Sequence, residues 1–355
     1  MSVLDNPFFI RFCLLTTAAG IAAILSSWAL RSALAPVGCS RLRQLLSVWL
    51  PTAVVVGVVG LYSRSMALTL VYSSAVAAVT LFLGASLYFT ASRATVTPDS
   101  GAAEDASAEP LPSLLFPLVL LLWLIGFGGW LDWSRAVALL VGGLAVGAAA
   151  WPSHKSAQLR PSRSFVLLET TLGLLIALAA AAAVVSLDHF VRSDARRIPP
   201  ELLAVTPLAP VIALPLYIAL AGLIQQRRRS DALALASGFA LLNLAFLIPL
   251  LVLLSAAATH LPHALQFTLD PARVAVGPAT APVEPTTAPT SFAFSDFFLG
   301  IPLILWRVEN VILLIATLAL VGVRLRYYAA SRALGGGLLL LYAIYLLTSL
   351  VLRLT

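Results

Sequence analysis

Long apolar runs separated by short polar connectors set the pattern of this chain. Stretches near residues 8–30, 45–62, 66–90, 113–131, 134–151, 164–187, 202–226, 231–258, 300–323 and 334–352 are dominated by Leu, Ala, Val, Ile and Phe. A helix needs about 20 apolar residues to cross the hydrocarbon core, and only a backbone bonded within itself survives there. The pattern predicts an all-α integral membrane protein with about ten transmembrane helices. The first stretch follows Asp5–Pro7 without a basic leader or a small-residue cleavage site, so it reads as a span and not as a signal peptide. Two segments interrupt the pattern. Residues 92–112 are small, acidic and Pro-containing, and residues 259–297 are rich in Pro, Thr and Ala. Neither has helical periodicity, and both are expected as loops, the second with short interfacial pieces around Phe292–Phe298.

Composition agrees: 60% of the 355 residues are hydrophobic and 10% charged, with a mean hydropathy of +0.98. A soluble domain of this length would need far more polar surface. Cys13 and Cys39 fit neither a disulfide framework nor a metal spacing. The formal charge of +7 does not point to nucleic acid, because the basic residues are scattered through short connectors. The connectors after the odd-numbered spans hold 13 Lys and Arg, from Arg31 to Arg332; the opposite side holds 8. That excess predicts cytoplasmic odd-numbered connectors and both termini on the extracytoplasmic side of a bacterial inner membrane. The run Gln225–Asp231, with Arg227, Arg228 and Arg229, reads as a topology anchor or a contact for anionic lipid.

An even division gives five spans per half, residues 1–151 and 152–355, and an odd number per half inverts the halves in the membrane. Pro51 sits within the second span, and Pro207, Pro210 and Pro215 within the seventh. Mid-span proline removes backbone hydrogen bonds. Such breaks at matching positions of inverted halves mark the midplane site of secondary transporters, although single kinks are also ordinary in membrane helices.

At these positions the chain resembles the sodium/calcium exchanger (cation/calcium antiporter) superfamily. Each half of that family carries a motif of the form G-T-S-L-P-E, followed by G-N-x-x-G-S-N-x-x-N/D. Leu50-Pro51-Thr52 falls on the end of the first motif, and residues Ser65 to Ala78 fall on the second, with Gly84 on a later glycine. In the second half, Thr206-Pro207-Leu208-Ala209-Pro210-Val211 falls on the first motif and Ala234 to Asn243 on the second. The C-terminal run from Ser331 to Tyr345 is similar to the family's last helix. The resemblance implies two inverted five-helix repeats with a cation site at their midplane interface, formed by Thr52, Ser73, Ser74, Thr206 and Asn243, with Thr69 as a weaker contributor. It also exposes a departure: the two motif glutamates read Thr52 and Val211, and asparagine positions read Ala75, Ala78 and Ala240, so the repeats are degenerate.

Hard divalent cations require oxygen-rich, charged sites, and holding one in a bilayer without a carboxylate is very costly. A hydroxyl-and-amide set suits a monovalent cation, a proton or a neutral solute better. Other acids in or near spans are Glu169, beside Thr170 and Thr171, and Glu309, beside Asn310; both rank below the motif positions as ion contacts. Asp132 reads as part of an interfacial turn, and Asp188-His189 as a solvated start of a loop. His260 and His263 lack a third ligand, and no cofactor or metal site is expected. No P-loop, nucleophile elbow, H-E-x-x-H or paired carboxylate supports an enzyme. Two functions remain: a divergent secondary cation transporter, or a transport-inactive exchanger-fold scaffold or subunit of a larger complex. Membrane lipid is the partner expected in either case.

Overall fold

The computed structural model describes residues 7–34, 40–90, 111–127, 136–144 apart from 138, 163–193, 198–226, 228–259, 303–324 and 331–354. Asp132, His260, His263, Phe292–Phe298 and nearly all of the two expected loops lie outside them. Every described element is helical. They are α1 (Pro7–Ala33), α2 (Ser40–Tyr62), α3 (residues 64–90), α4 (Leu111–Phe127), α5 (Arg163–Ser193), α6 (residues 200–212), α7 (Leu214–Gln225), α8 (residues 229–259), α9 (Leu303–Arg324) and α10 (Arg332–Leu354). Six of the described helices are long and apolar enough to cross a membrane, and α6 with α7 makes a seventh if that bent pair is one span. The chain is an integral membrane protein.

Burial separates the helices into a centre and a rim. In an 18-residue apolar window of Ser65–Phe89, 94% of residues are buried, and in one of Arg229–Leu253, 89%; for Phe8–Ala33 the figure is 17%. Thus α3 and α8 are enclosed by the other helices. Leu14, Ile21, Leu25 and Trp28 of α1 and Leu167, Leu168, Leu172 and Leu175 of α5 are exposed, as a lipid-facing surface requires. Lipid tails are as apolar as leucine, so helices associate here through close packing and interhelical hydrogen bonds. Ser26 Oγ donates to the Gly173 carbonyl at 2.7 Å, joining α1 to α5. At Gly335, a Cβ would stand 2.7 Å from the Tyr88 nitrogen and 2.8 Å from the Gly84 carbonyl oxygen. Only glycine lets α10 approach α3 that closely.

The prolines act differently from one another. The seventh span breaks as expected: α6 and α7 meet at 46°. Ala213 stands at the break with φ −90° and ψ 8°, and Pro215 starts α7, where its missing N–H costs nothing. Pro207 lies in a π-helical segment, Ala204–Leu208, whose wider turn relieves the clash of the ring with the preceding turn. The second span is not broken. Helix α2 runs unbroken through Pro51, as membrane helices tolerate.

A second correspondence was not visible in the sequence. Helix α3 opens with 14 α-helical residues, Arg64–Ala77, and then the five-residue π segment Ala78–Phe82. Helix α8 opens with 14, Arg229–Leu242, and then the five-residue π segment Asn243–Leu247. π-bulges are uncommon and concentrate at functional sites. Here the two central helices carry them in the same register, and Asn243 opens the second.

Candidate functional site

Two of the sequence candidates, Ser74 and Asn243, meet where α2, α3 and α8 pack, against Trp49 of α2. Asn243 is fully buried. Its Nδ2 donates to Ser74 Oγ at 2.8 Å, and its Oδ1 accepts from the Trp49 indole Nε1–H at 3.0 Å. Ser74 Oγ in turn donates to the Val71 carbonyl at 3.0 Å. Thr52 lies three residues after Trp49, on the same face of α2. Its hydroxyl is buried and has no hydrogen-bond partner among the described residues. Buried polar atoms are nearly always paired, so this orphan invites a ligand or an ordered water. Every group in the cluster is neutral.

Ser73 serves a second cluster, because successive helical residues point about 100° apart. Its Oγ is 2.9 Å from the Tyr345 hydroxyl on α10. Tyr345 in turn donates to Glu309 Oε1 on α9 at 2.9 Å. Tyr345 is fully buried and Glu309 is 4% exposed. Glu309 is therefore one tyrosine hydroxyl away from the candidate site. Asn310 beside it is buried, and neither atom of its amide has a hydrogen-bond partner among the described residues. The tyrosine was not singled out from sequence; it stands 36 positions after Glu309 and 272 after Ser73.

The remaining candidates lie elsewhere. Thr206 is exposed, and its hydroxyl donates to the Leu202 carbonyl of its own helix at 2.7 Å. Thr69 is buried but likewise bonds its own helix, at Ser65. Glu169 lies on α5 at the rim, and Thr170 and Thr171 bond the Val166 and Leu167 carbonyls and offer Glu169 nothing. Asp188 is not a solvated loop residue: it is fully buried within α5 and forms an ion pair with Arg192 at 2.8 Å. The Arg192 guanidinium also lies over the Tyr62 ring, tying α5 to the end of α2. In the basic run, Arg228 pairs with Asp231, which fits an anchor at the start of α8.

A cleft of about 170 Å³ between α1, α2 and α7 is lined by Ser27, Arg31, Gln44, Ser47, Val48 and Gln226, among others. Val48 is four residues, about one helical turn, before Thr52. The cleft thus opens about one turn along α2 from the buried cluster.

No protein-family model matches the chain, and no curated protein sequence matches it. Solved structures do. The H+/Ca2+ exchanger CAX is 14% identical with a TM-score of 0.64, over 98% of this chain and 88% of that one. YfkE is 15% identical with a TM-score of 0.57, over 96% and 91%. The sodium-calcium exchanger NCX_Mj is 14% identical with a TM-score of 0.53, over 98% and 99%. At such identities the likeness establishes architecture, and it extends over nearly the whole chain: this is a membrane protein with the fold of the cation/calcium exchangers.

Proposed function

We propose that the chain is a divergent secondary cation transporter, made of two inverted five-span halves, residues 1–151 and 152–355, with degenerate motif repeats. Its ion path crosses the interface of α2, α3 and α8 at Thr52, Ser73, Ser74 and Asn243. The observation that carries this reading is the Asn243–Ser74 hydrogen bond. It joins the two most enclosed helices at the first residue of the π segment of α8 and about one turn before the π segment of α3, two segments that begin in the same register. Inverted halves account for that register, and the odd-numbered connectors then face the cytoplasm, with both termini outside.

The neutral oxygens of the cluster suit a monovalent cation, with a proton as the partner in antiport. A divalent ion would lack the negative charge needed to offset its dehydration. Thr206 stands outside this site in the conformation described. Flux of Na+, Ca2+ and H+ into proteoliposomes tests the proposal. Uptake of a cation above that of protein-free vesicles supports it, and equal uptake for all three contradicts it.

One observation favours a second reading, the transport-inactive scaffold. Trp49, Asn243 and Ser74 satisfy one another without an ion, so the cluster can also serve as a structural clasp. Absence of flux together with stable co-purification of another membrane protein would favour it.

A further inference from the structure

The cation site has no carboxylate of its own, yet one lies two hydrogen bonds from Ser73. A buried ionisable group in a membrane is expensive and is kept where it has work to do. Among the described residues, the other buried acids are Asp188, Glu201 and Asp231. Asp188 and Asp231 are held by Arg192 and Arg228, and Glu201 lies at the start of α6. Glu309 alone is joined through a described hydrogen-bond chain to a residue of the proposed site.

We propose that Glu309 is the proton-binding carboxylate of this protein, and that Tyr345 is a positioning residue that makes its protonation oppose cation coordination by Ser73. The inference rests on the cation-transport reading. With Glu309 ionised, Tyr345 O–H donates to Oε1, and the tyrosine oxygen accepts the Ser73 proton. The free lone pairs of Ser73 Oγ then face away from Tyr345, available to a cation, with a negative charge nearby to offset it. When Glu309 takes up a proton and becomes the neutral acid, its O–H donates to the Tyr345 oxygen. In that arrangement Tyr345 turns its own proton to Ser73 Oγ, which takes one of the two lone pairs there and weakens its hold on a cation. One proton is bound, no heavy atom needs to move, and the chain of three hydroxyl-bearing groups simply reverses direction.

The surroundings allow such a switch. The elements packed on α9 are α3, α4, α10 and the π segment of α3. Among described side chains their titratable groups are Tyr72 and Tyr88 of α3, Tyr342 and Tyr345 of α10, and Arg332 at the far end of α10; α4 has none. Arg332 lies over the Tyr88 ring, 13 residues and about 20 Å along the helix from Tyr345. Arg307 and Arg324 are on α9 itself, with side chains outside the described ones.

The test uses the full chain in proteoliposomes, with Na+, K+ and Ca2+ as probes. The carbonyl band of a protonated carboxylic acid is followed by infrared difference spectroscopy, and proton movement by a trapped pH dye. The expected result is an acid band that titrates with pH and is depleted when one of the cations is added at fixed pH. Glu309→Gln removes that band and uncouples cation flux from proton movement. Tyr345→Phe keeps the band but needs at least tenfold more cation to deplete it. A band that survives Glu309→Gln, a band that ignores all three cations, or a Tyr345→Phe protein that responds as wild type overturns the proposal. If cation flux depends on Asn243 while its pH dependence is unchanged in Glu309→Gln, this inference falls and the transport reading stands. If wild type moves no cation, the transport reading itself falls.

Discussion

Asn243 and Ser74 are 169 residues apart in sequence and 2.8 Å apart in space, and their hydrogen bond directly links the two enclosed helices. Asn243 also accepts from Trp49, so a single amide ties α8 to both α3 and α2. Removing it leaves a buried serine hydroxyl and an indole N–H without that partner. Asn243→Ala should cost about 1–3 kcal/mol. Thermal unfolding in detergent checks this, and Trp49→Phe/Asn243→Ala should lose less than the sum of the single variants, because the two share one bond.

Close approach of α3 and α10 depends on Gly335. A methyl group there would meet the Tyr88 nitrogen, the Gly84 oxygen and Leu87 Cβ at 2.7–2.9 Å, whereas one at Gly337 would meet nothing within 4 Å. Gly335→Ala should therefore destabilise by about 1–3 kcal/mol and Gly337→Ala by nothing measurable. Melting temperatures of the two variants, measured in the same detergent, compare them directly.

Asp188 is fully buried and relies on Arg192 for its counter-charge. Arg192→Ala would strand that carboxylate, a loss on the order of 3–5 kcal/mol for a buried pair. Since Arg192 is itself 43% exposed, the lower end applies. Replacing both partners, as Asp188→Asn/Arg192→Ala, should recover much of the loss. A double variant no more stable than Arg192→Ala would show that the arginine acts through its stacking on Tyr62 instead.

Much of the fold is legible in the sequence, since every described helix falls on one of the apolar stretches and hydrocarbon solvent permits little else. Tertiary effects are where that reading gives out. Pro51 and Pro207 look alike in the chain and both are absorbed, one in an α-helix and the other in a π segment. The seventh span bends farther on, at Ala213, and its helix restarts with Pro215 in the first turn. Motif register draws Thr206 into the site, yet its hydroxyl faces Leu202 of its own helix. Glu309 ranks low from sequence because its near neighbours, Arg307 and Asn310, say nothing of Tyr345 on another helix. Only packing reveals that Ser73 and Ser74, adjacent in the chain, serve two different polar clusters.

The central claim is that cations cross at the junction of α2, α3 and α8. Its most direct test is Na+ flux, with Ca2+ and K+ in parallel, through proteoliposomes carrying wild type or Thr52→Ala/Asn243→Ala, the variant first shown to fold by its elution profile and helical circular dichroism. The account predicts flux in wild type and its loss by at least tenfold in the double variant. Flux that is unchanged in the double variant would contradict it.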